Sequence, residues 1–207
     1  MPYPEGHKLK VRQHIITSAA KAFRTHGVQN ISLPYIMKGA GLTHGGFYSH
    51  FQNKDQLVME TCQFAIGDTI ETLQRVADKN KDEDQLPIEA VIEFYLSPLH
   101  RDQSEIGCIL PALSGEIPQL SKEIREAYTQ ELQRFIEFVT NMAEIDTSAG
   151  YALVCSMVGS VALARAVSDS KLSDDLLQAG RMQAKRIIET ATHETTTPKK
   201  RTGGLIE

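Results

Sequence analysis

Residues 41–51 read GLTHGGFYSHF and place three glycines, two histidines and three aromatic side chains in eleven positions. Imidazole and hydroxyl groups can hydrogen-bond phosphate oxygens or base edges. A helix that starts in this segment also presents free N–H groups and partial positive charge to phosphates. Gly45 and Gly46 carry no side chains, so the backbone can come close to a partner. We interpret the glycines as clearance and the polar aromatic groups as contacts.

The elements around this segment predict a helix-turn-helix. A short helix over 33–40 and a second over about 44–50 are separated by a few residues that include Gly41. Ser32 is expected to cap the first helix and Thr43 the second. In the second helix, Phe47 and Phe51 are four residues apart and should share the face that meets the core, while His44 and Tyr48 share another face.

Charge is unevenly distributed along the chain. Residues 1–56 hold seven Lys or Arg against Glu5 and Asp55, a net +5, which leaves −9 on the remainder because the whole chain carries −4. A basic module joined to an acidic body favours contact between the module and a polyanion. Chance clustering is the alternative reading of the charge pattern alone.

Helical periodicity continues through the rest of the chain. Apolar residues recur at steps of three and four, most clearly from Ile124 to Met142, and convincing strand alternation is lacking. Asn53 begins a capping-box pattern that ends at Gln56. The sequence therefore predicts an all-α protein of about nine helices, with an N-terminal module over 1–52, a helical body over 53–191 and a disordered tail over 192–207.

The first 57 residues resemble the TetR family of transcriptional regulators, in an AcrR-like form of its N-terminal helix-turn-helix. The string AGLTHGGFYSHFQNKDQL is similar to the family's most specific segment almost from end to end. Matching positions also occur upstream: Ile16, Ala19, Ala20, Phe23, Gly27, Ser32 and Ile36. The resemblance implies a homodimer that inserts the second helix of each subunit into a major groove of a near-palindromic operator. It also implies a helical C-terminal domain that binds a small effector and dimerises.

The resemblance assigns roles to individual residues of the module. His44 and Gly45 match positions that reach toward bases, although many members have lysine at the place of His44, so its contact could depend on protonation. Gly46 provides clearance beside them. Tyr48 covering the module core, and His50 as a satisfied core histidine, are the structural alternatives. The positions that match phosphate contacts are Ser32, Thr43, Tyr48, Ser49, His50 and Lys54.

The body must supply the dimer interface and the effector site. Residues 149–164 run for sixteen positions without a charge and are rich in small side chains. This run is short for a membrane span, and we expect two apolar terminal helices, over 147–168 and 172–191, to form a four-helix dimer interface. An internal buried helix is the alternative. In the terms of the family, the effector pocket should lie between the long helices, with these candidates: Phe64, Tyr95, Cys108, Phe135, Phe138, Met142 and Met157.

Cys108 follows Gly107 at the expected start of a short helix, a setting that lowers the pKa of a thiol. The segment GCILPALSGEI is similar to that of electrophile-sensing members of the family, in which such a cysteine is the switch. A buried, inert cysteine is the alternative.

Other chemistry finds little support in the sequence. Cys62, Cys108 and Cys155 are far apart and form no CxxC pair, which argues against a disulfide framework or a zinc site. P-loop, HExxH and nucleophile motifs are lacking. We therefore expect a cytoplasmic repressor without cofactor, metal or membrane partner, released from its operator by a small molecule, or alternatively through oxidation or alkylation of Cys108. An enzyme and a simple DNA-coating protein are the competing classes, and the large acidic body disfavours the second.

Overall fold

The computed structural model describes the backbone of residues 5–80 and 86–196 and the side chains of residues 6–80 and 86–193. Within these ranges every regular element is a helix, which confirms the all-α class. The α-helices there are α1 Glu5–His26, α2 Leu33–Gly39, α3 Lys54–Lys79, α4 Pro87–Tyr95, α5 Pro98–Asp102, α6 Leu110–Leu113, α7 Lys122–Ala143, α8 Thr147–Ala166 and α9 Ser170–Thr196. Three 3-10 helices cover His44–Ser49, Ser104–Ile106 and Ile117–Gln119.

Two of the expected helix caps are confirmed. The Ser32 hydroxyl accepts a hydrogen bond from the backbone N–H of Tyr35 at 3.4 Å and caps α2. The Asn53 side chain accepts from the N–H of Gln56 at 2.8 Å and caps α3. The Gln56 side chain reaches back to the N–H of Gln52 at 2.8 Å, one residue before the position that a capping box uses. These bonds satisfy N–H groups that a first helical turn leaves open.

The structure corrects two local expectations. Thr43 precedes the 44–49 helix, but its side chain makes no capping bond. That helix is a 3-10 helix, the tighter form that is common in short pieces.

The N-terminal module is built around stacked phenylalanines. Phe47 and Phe51 stack with ring centroids 5.5 Å apart, and both are buried together with Phe23 of α1 and Ile36 of α2. The Arg12 guanidinium lies 4.5 Å from the centre of the Phe51 ring. The expected core face of the second helix is therefore confirmed.

The body consists of α3 packed against α7, with α8 and α9 packed along each other. Two of its largest fully buried side chains are Tyr95 and Phe135. Gly180 of α9 faces Ser160 of α8 so closely that a Cβ at position 180 would lie 2.3 Å from the Ser160 hydroxyl oxygen. A side chain there would force the two helices apart, so their close approach requires glycine.

The expected disordered tail lies mostly outside the described residues. Helix α9 continues to Thr196, five residues beyond the expected boundary at 191. The remainder of the expected tail, 197–207, lies outside the described residues.

In the described part of the chain, α8 is the one helix that has the length and apolar composition to cross a membrane. A core helix of a soluble protein passes the same test, so one such helix is weak support for a span. Only 33% of its most apolar window is buried within the subunit. Much of α8 is therefore available to pack against another surface.

Candidate DNA-binding surface and ligand cavity

The 44–49 helix has one side in the core and one side in solvent. Phe47 is 0% exposed, whereas the neighbouring Tyr48 is 64% exposed. The Tyr48 ring meets the Phe47 ring edge-on, with centroids 5.2 Å apart, and the His44 ring at 6.3 Å. Anchored in this way, the phenol and imidazole project outward without needing support from a partner. Tyr48 therefore does not cover the module core.

The glycines of this helix are not required by internal packing. A Cβ on Gly45 would meet nothing within 4 Å, and one on Gly46 would meet the Met37 side chain at 3.9 Å, an ordinary contact. Packing within the subunit therefore does not explain the bare backbone at these positions.

The nine expected DNA-contact residues belong to the N-terminal module and the start of α3, and they differ in solvent exposure. Half-buried positions are Gly46, His50 and Lys54. The exposed positions are Ser32, Thr43, His44, Gly45, Tyr48 and Ser49.

Lys54 is committed to the protein backbone. Its ammonium group donates to the carbonyl oxygens of Val28 at 2.7 Å and Ile31 at 2.6 Å. Burial lowers the pKa of this amine, partly opposed by Asp55 and Glu116. Two of the three ammonium hydrogens thus hold the turn between α1 and α2, and one remains for an outside acceptor.

His50 is half-buried, and its Nδ1 atom is buried without a hydrogen-bond partner. Its carbonyl oxygen accepts from the Arg12 guanidinium at 3.3 Å. Burial lowers the pKa of the His50 imidazole, and Lys8 and Arg12 lower it further. Its imidazole is therefore mainly neutral near pH 7, and its contact would be a hydrogen bond rather than an ion pair.

Glu116, in the segment after α6, is a residue that sequence reasoning missed. Its carboxylate accepts from the backbone N–H of Val28 at 2.8 Å and of Gln29 at 3.1 Å. Gly27 precedes them with φ of 77°, and a Cβ there would lie 1.7 Å from a Glu116 carboxylate oxygen. The body thus holds the turn between α1 and α2 directly. Gly27 is recognisable as a helix stop, but nothing local marks Glu116 as its partner.

Ion pairs form a second connection between α1 and the body. The Arg24 guanidinium lies 3.0 Å from the Asp68 carboxylate of α3, and Lys21 lies 2.9 Å from Glu105. Arg24 is buried, whereas both partners of the Lys21 pair are well exposed. Exposed pairs contribute little to stability, so Arg24 is the more important connection.

A cavity of about 1300 Å³ lies between the module and the body. One wall comes from α1 and α2 and includes Lys21 and Lys38; the other comes from α3, α4 and the segment 103–108. Apolar side chains form much of the body-side wall: Phe64, Leu73, Phe94, Tyr95, Leu99 and Ile106. The expected pocket between the long helices is thus displaced toward the module.

Three of the seven expected pocket residues line this cavity: Phe64, Tyr95 and Cys108. The other four do not. Phe135 and Met157 are fully buried core residues, and Phe138 and Met142 pack against that core. Amphipathic spacing alone cannot distinguish a core position from a cavity wall, because both face the protein interior.

The deep end of the cavity contains a buried polar cluster. The Tyr95 hydroxyl is buried without an oxygen or nitrogen partner. His100 Nε2 accepts from the backbone N–H of Cys108 at 2.9 Å, so Nδ1 carries the proton and donates to the Tyr95 carbonyl oxygen at 2.6 Å. Burial lowers the pKa of His100 to about 4, although the Tyr95 carbonyl opposes the shift.

The expectation of an activated Cys108 thiol is wrong. Cys108 is 1% exposed, and burial raises the pKa of its thiol despite the neighbouring Tyr95 hydroxyl. Helix α6 begins only at Leu110 and has four residues, too short for a strong dipole at its start. Desolvation therefore outweighs the local helix effect.

Several large apolar side chains of α8 and α9 are exposed. Tyr151 and Leu163 of α8 are about half exposed or more, as are Leu172 and Met182 of α9. Cys155 is exposed on α8 as well. Within the described residues, no group of three or more His, Cys, Asp or Glu side chains is arranged to hold a metal ion.

Comparison with known proteins decides the family. Residues 15–61 match the family described as "Bacterial regulatory proteins, tetR family". This match places the N-terminal module in the TetR family. TetR-family members are DNA-binding transcriptional regulators rather than enzymes, and they bind operator DNA as dimers.

Individual relatives support this assignment. Over 169 residues the chain is 29% identical to a probable HTH-type transcriptional regulator, ArpR, from Pseudomonas putida, covering 81% of this chain and 70% of that protein. Over 52 residues it is 44% identical to a probable acrEF/envCD operon repressor from Escherichia coli (strain K12), covering 25% of this chain and 24% of that one. A TetR-family regulator from Agrobacterium tumefaciens shares the fold, with a TM-score of 0.70 at 15% identity, covering 89% of this chain and 98% of that chain.

Proposed function

We propose that this TetR-family regulator is a cytoplasmic repressor that binds a near-palindromic operator as a homodimer and is released by a small molecule. The observation that carries the proposal is the 44–49 helix, which is anchored by a fully buried Phe47 and presents an exposed Tyr48. Repression is supported by the name of the relative from E. coli, a probable operon repressor.

The module carries the proposed DNA contacts. His44 and Gly45 reach toward base edges, while Tyr48, Ser49 and Thr43 meet phosphates. His50 and Gly46 lie at the edge of the contact. Ser32 and Lys54 support DNA binding mainly by positioning the protein backbone. Each already hydrogen-bonds backbone groups in or next to the turn between α1 and α2.

The surface of α8 and α9 is the proposed dimer interface. Tyr151, Leu163 and Met182 expose apolar area that a partner subunit would bury. Two helices from each subunit would form a four-helix arrangement. A dimer sets the spacing of two modules, which is why the operator is expected to be near-palindromic.

The 1300 Å³ cavity is the proposed effector site. Its walls come from both the module and the body, so a ligand that fits only one arrangement of the two would shift the position of α1. The ligand would meet the Phe64 and Tyr95 rings and the unpartnered Tyr95 hydroxyl. The protein would then leave its operator if, in the ligand-bound arrangement, the spacing of the two modules no longer matches the spacing of the operator half-sites.

Operator binding tests the proposal. DNA fragments selected by the protein from its own genome should bind with an affinity that falls steeply with salt. Tyr48→Ala should weaken binding by about 1–3 kcal/mol, while Lys122→Ala, on the exposed surface of α7, should leave it unchanged. Equal affinity of Tyr48→Ala and the unaltered protein for the selected fragment would refute the proposed surface.

The alternative switch through Cys108 has less support. A buried thiol with a raised pKa is a poor nucleophile. We therefore favour non-covalent release.

A further inference from the structure

A second cavity, of about 480 Å³, lies where the end of α1 meets α5, α6 and α8. Three arginines line it: Arg24 of α1, Arg101 of α5 and Arg165 of α8. Glu116 is its one acidic lining residue. The cavity is distinct from the proposed effector site, although Arg24 contributes to the walls of both.

The Arg165 guanidinium is incompletely satisfied. Its Nε donates to the Arg101 carbonyl oxygen at 3.0 Å and its Nη2 to the His100 carbonyl oxygen at 2.7 Å. Its Nη1 is buried and has no hydrogen-bond partner. Two nitrogens of the guanidinium therefore cap carbonyl oxygens at the end of α5, and the third has no acceptor. Among the described residues, no carboxylate forms an ion pair with it.

Arg24 also has one buried guanidinium nitrogen without a hydrogen-bond partner. The residue is 7% exposed, and its Nη2 donates to Asp68 at 3.0 Å and to the Ala65 carbonyl oxygen at 3.3 Å. Its Nε is buried without a partner. The third arginine differs, because Arg101 is already paired with carboxylates outside the cavity.

Unfilled donors on buried cations are unusual. A buried donor without an acceptor costs about 1–3 kcal/mol, and more when the group is charged. One Glu116 carboxylate oxygen accepts from the N–H groups of Val28 and Gln29, and neither unfilled arginine nitrogen is bonded to Glu116. The lining of the cavity therefore has three guanidinium groups, two of them with a buried donor that lacks an acceptor, against one carboxylate.

We propose that this cavity is a binding site for a small oxyanion, held by Arg24 Nε and Arg165 Nη1. Guanidinium groups bind phosphate, sulfate and carboxylate oxygens through such paired donors. The volume is enough for an ion of this size with accompanying water. A bound anion would connect α1 of the module to α8 of the body and stabilise their contact.

Thermal unfolding of the full chain tests the site. Sodium phosphate, sodium sulfate and sodium acetate are each compared with sodium chloride at equal ionic strength. Phosphate or sulfate should raise the midpoint by about 3 °C more than chloride does. Acetate as the most effective anion would identify a carboxylate site instead. Equal midpoints in all four salts would mean that ordered water alone fills the cavity and would overturn the proposal.

Three variants localise the effect. Arg165→Lys keeps the charge but lacks the planar guanidinium, and it should lose most of the phosphate-dependent shift. Ala162 lines the cavity, so Ala162→Glu places a tethered carboxylate there. This variant should unfold at a higher temperature than Ala162→Gln and should no longer respond to phosphate. A full phosphate response in both Arg165→Lys and Ala162→Glu would place the anion elsewhere and refute the site. Operator DNA is absent from these measurements, so their outcome is independent of the proposed function.

Discussion

Lys54 holds the turn that precedes the proposed DNA-contact surface. Its ammonium donates to Val28 and Ile31, and these carbonyls belong to the turn that leads into Ser32, the cap of α2. A phosphate could occupy only the remaining hydrogen. At the scale of the residue, its larger contribution is to hold the turn from which the helix-turn-helix begins.

The reactivity of Cys108 is a prediction at this scale. In a Cys155→Ser background, which removes the exposed thiol, the native protein should react with Ellman's reagent more than about tenfold slower than the same chain unfolded in urea. The reason is the burial of both Cys62 and Cys108. Peptide mass analysis distinguishes the two sites. Rapid labelling of Cys108 in the native state would restore the thiol switch as the leading mechanism.

His100 makes stability depend on pH. Its folded-state pKa, about 4, lies below the ordinary value near 6.5, so the unfolded chain binds a proton that the folded chain excludes. This contribution is fully present above pH 6.5 and is lost as pH falls toward 4, with about 2 kcal/mol gone by pH 5. Urea unfolding at pH 7 and pH 5 should show a smaller difference for His100→Gln than for the exposed-site control His14→Gln. The same difference in both variants would contradict the assignment.

The turn between α1 and α2 is the element whose position is set from two sides. Lys54 binds its carbonyl oxygens and Glu116 binds its N–H groups. Lys54 follows the helix-turn-helix directly, whereas Glu116 comes from the body. The helix α2 and the 44–49 helix follow this turn. A displacement of the segment after α6 would therefore move the turn through the Glu116 carboxylate, and with it the proposed DNA-contact surface.

Glu116→Gln tests this connection. A neutral amide accepts more weakly and places an NH2 group against backbone N–H donors, so the free energy of unfolding should fall by about 1–3 kcal/mol. Operator affinity should fall as well. Glu137→Gln, on the exposed side of α7, is the matched control. If Glu116→Gln has the stability and operator affinity of this control, the turn is held by other contacts.

At the scale of the whole molecule, two kinds of surface occupy different parts of the chain. Polar aromatic groups and positive charge are concentrated on the N-terminal module, and exposed apolar side chains on α8 and α9. The 1300 Å³ cavity lies where the module meets the body. In the proposed function, the ligand, the partner subunit and DNA would therefore contact different sets of residues.

Disrupting the α8–α9 surface should separate the subunits. Leu163→Glu with Met182→Glu would place two charges of equal sign per subunit in the proposed interface, so sedimentation should show a monomer at micromolar concentration. Leu9→Glu, an equally exposed site on α1, should leave the dimer intact. An unchanged dimer in the double variant would assign the interface to another surface.

The sequence by itself determined the all-α class and the resemblance to the TetR family, because the signals for these are local. Spacing of three and four placed Phe47 and Phe51 in the core, and Ser32 and Asn53 marked helix starts through their own capping bonds. The same local reading was wrong for Thr43, whose side chain makes no cap.

Only the tertiary structure decided how distant groups meet. Glu116 and Val28 are 88 residues apart, and neither position has a sequence signature that names the other. The start of a helix suggested a reactive Cys108, but elements far along the chain bury it and raise the pKa of its thiol. Desolvation depends on everything packed around a group, so the state of a buried group depends on the folded chain rather than on its neighbours in sequence.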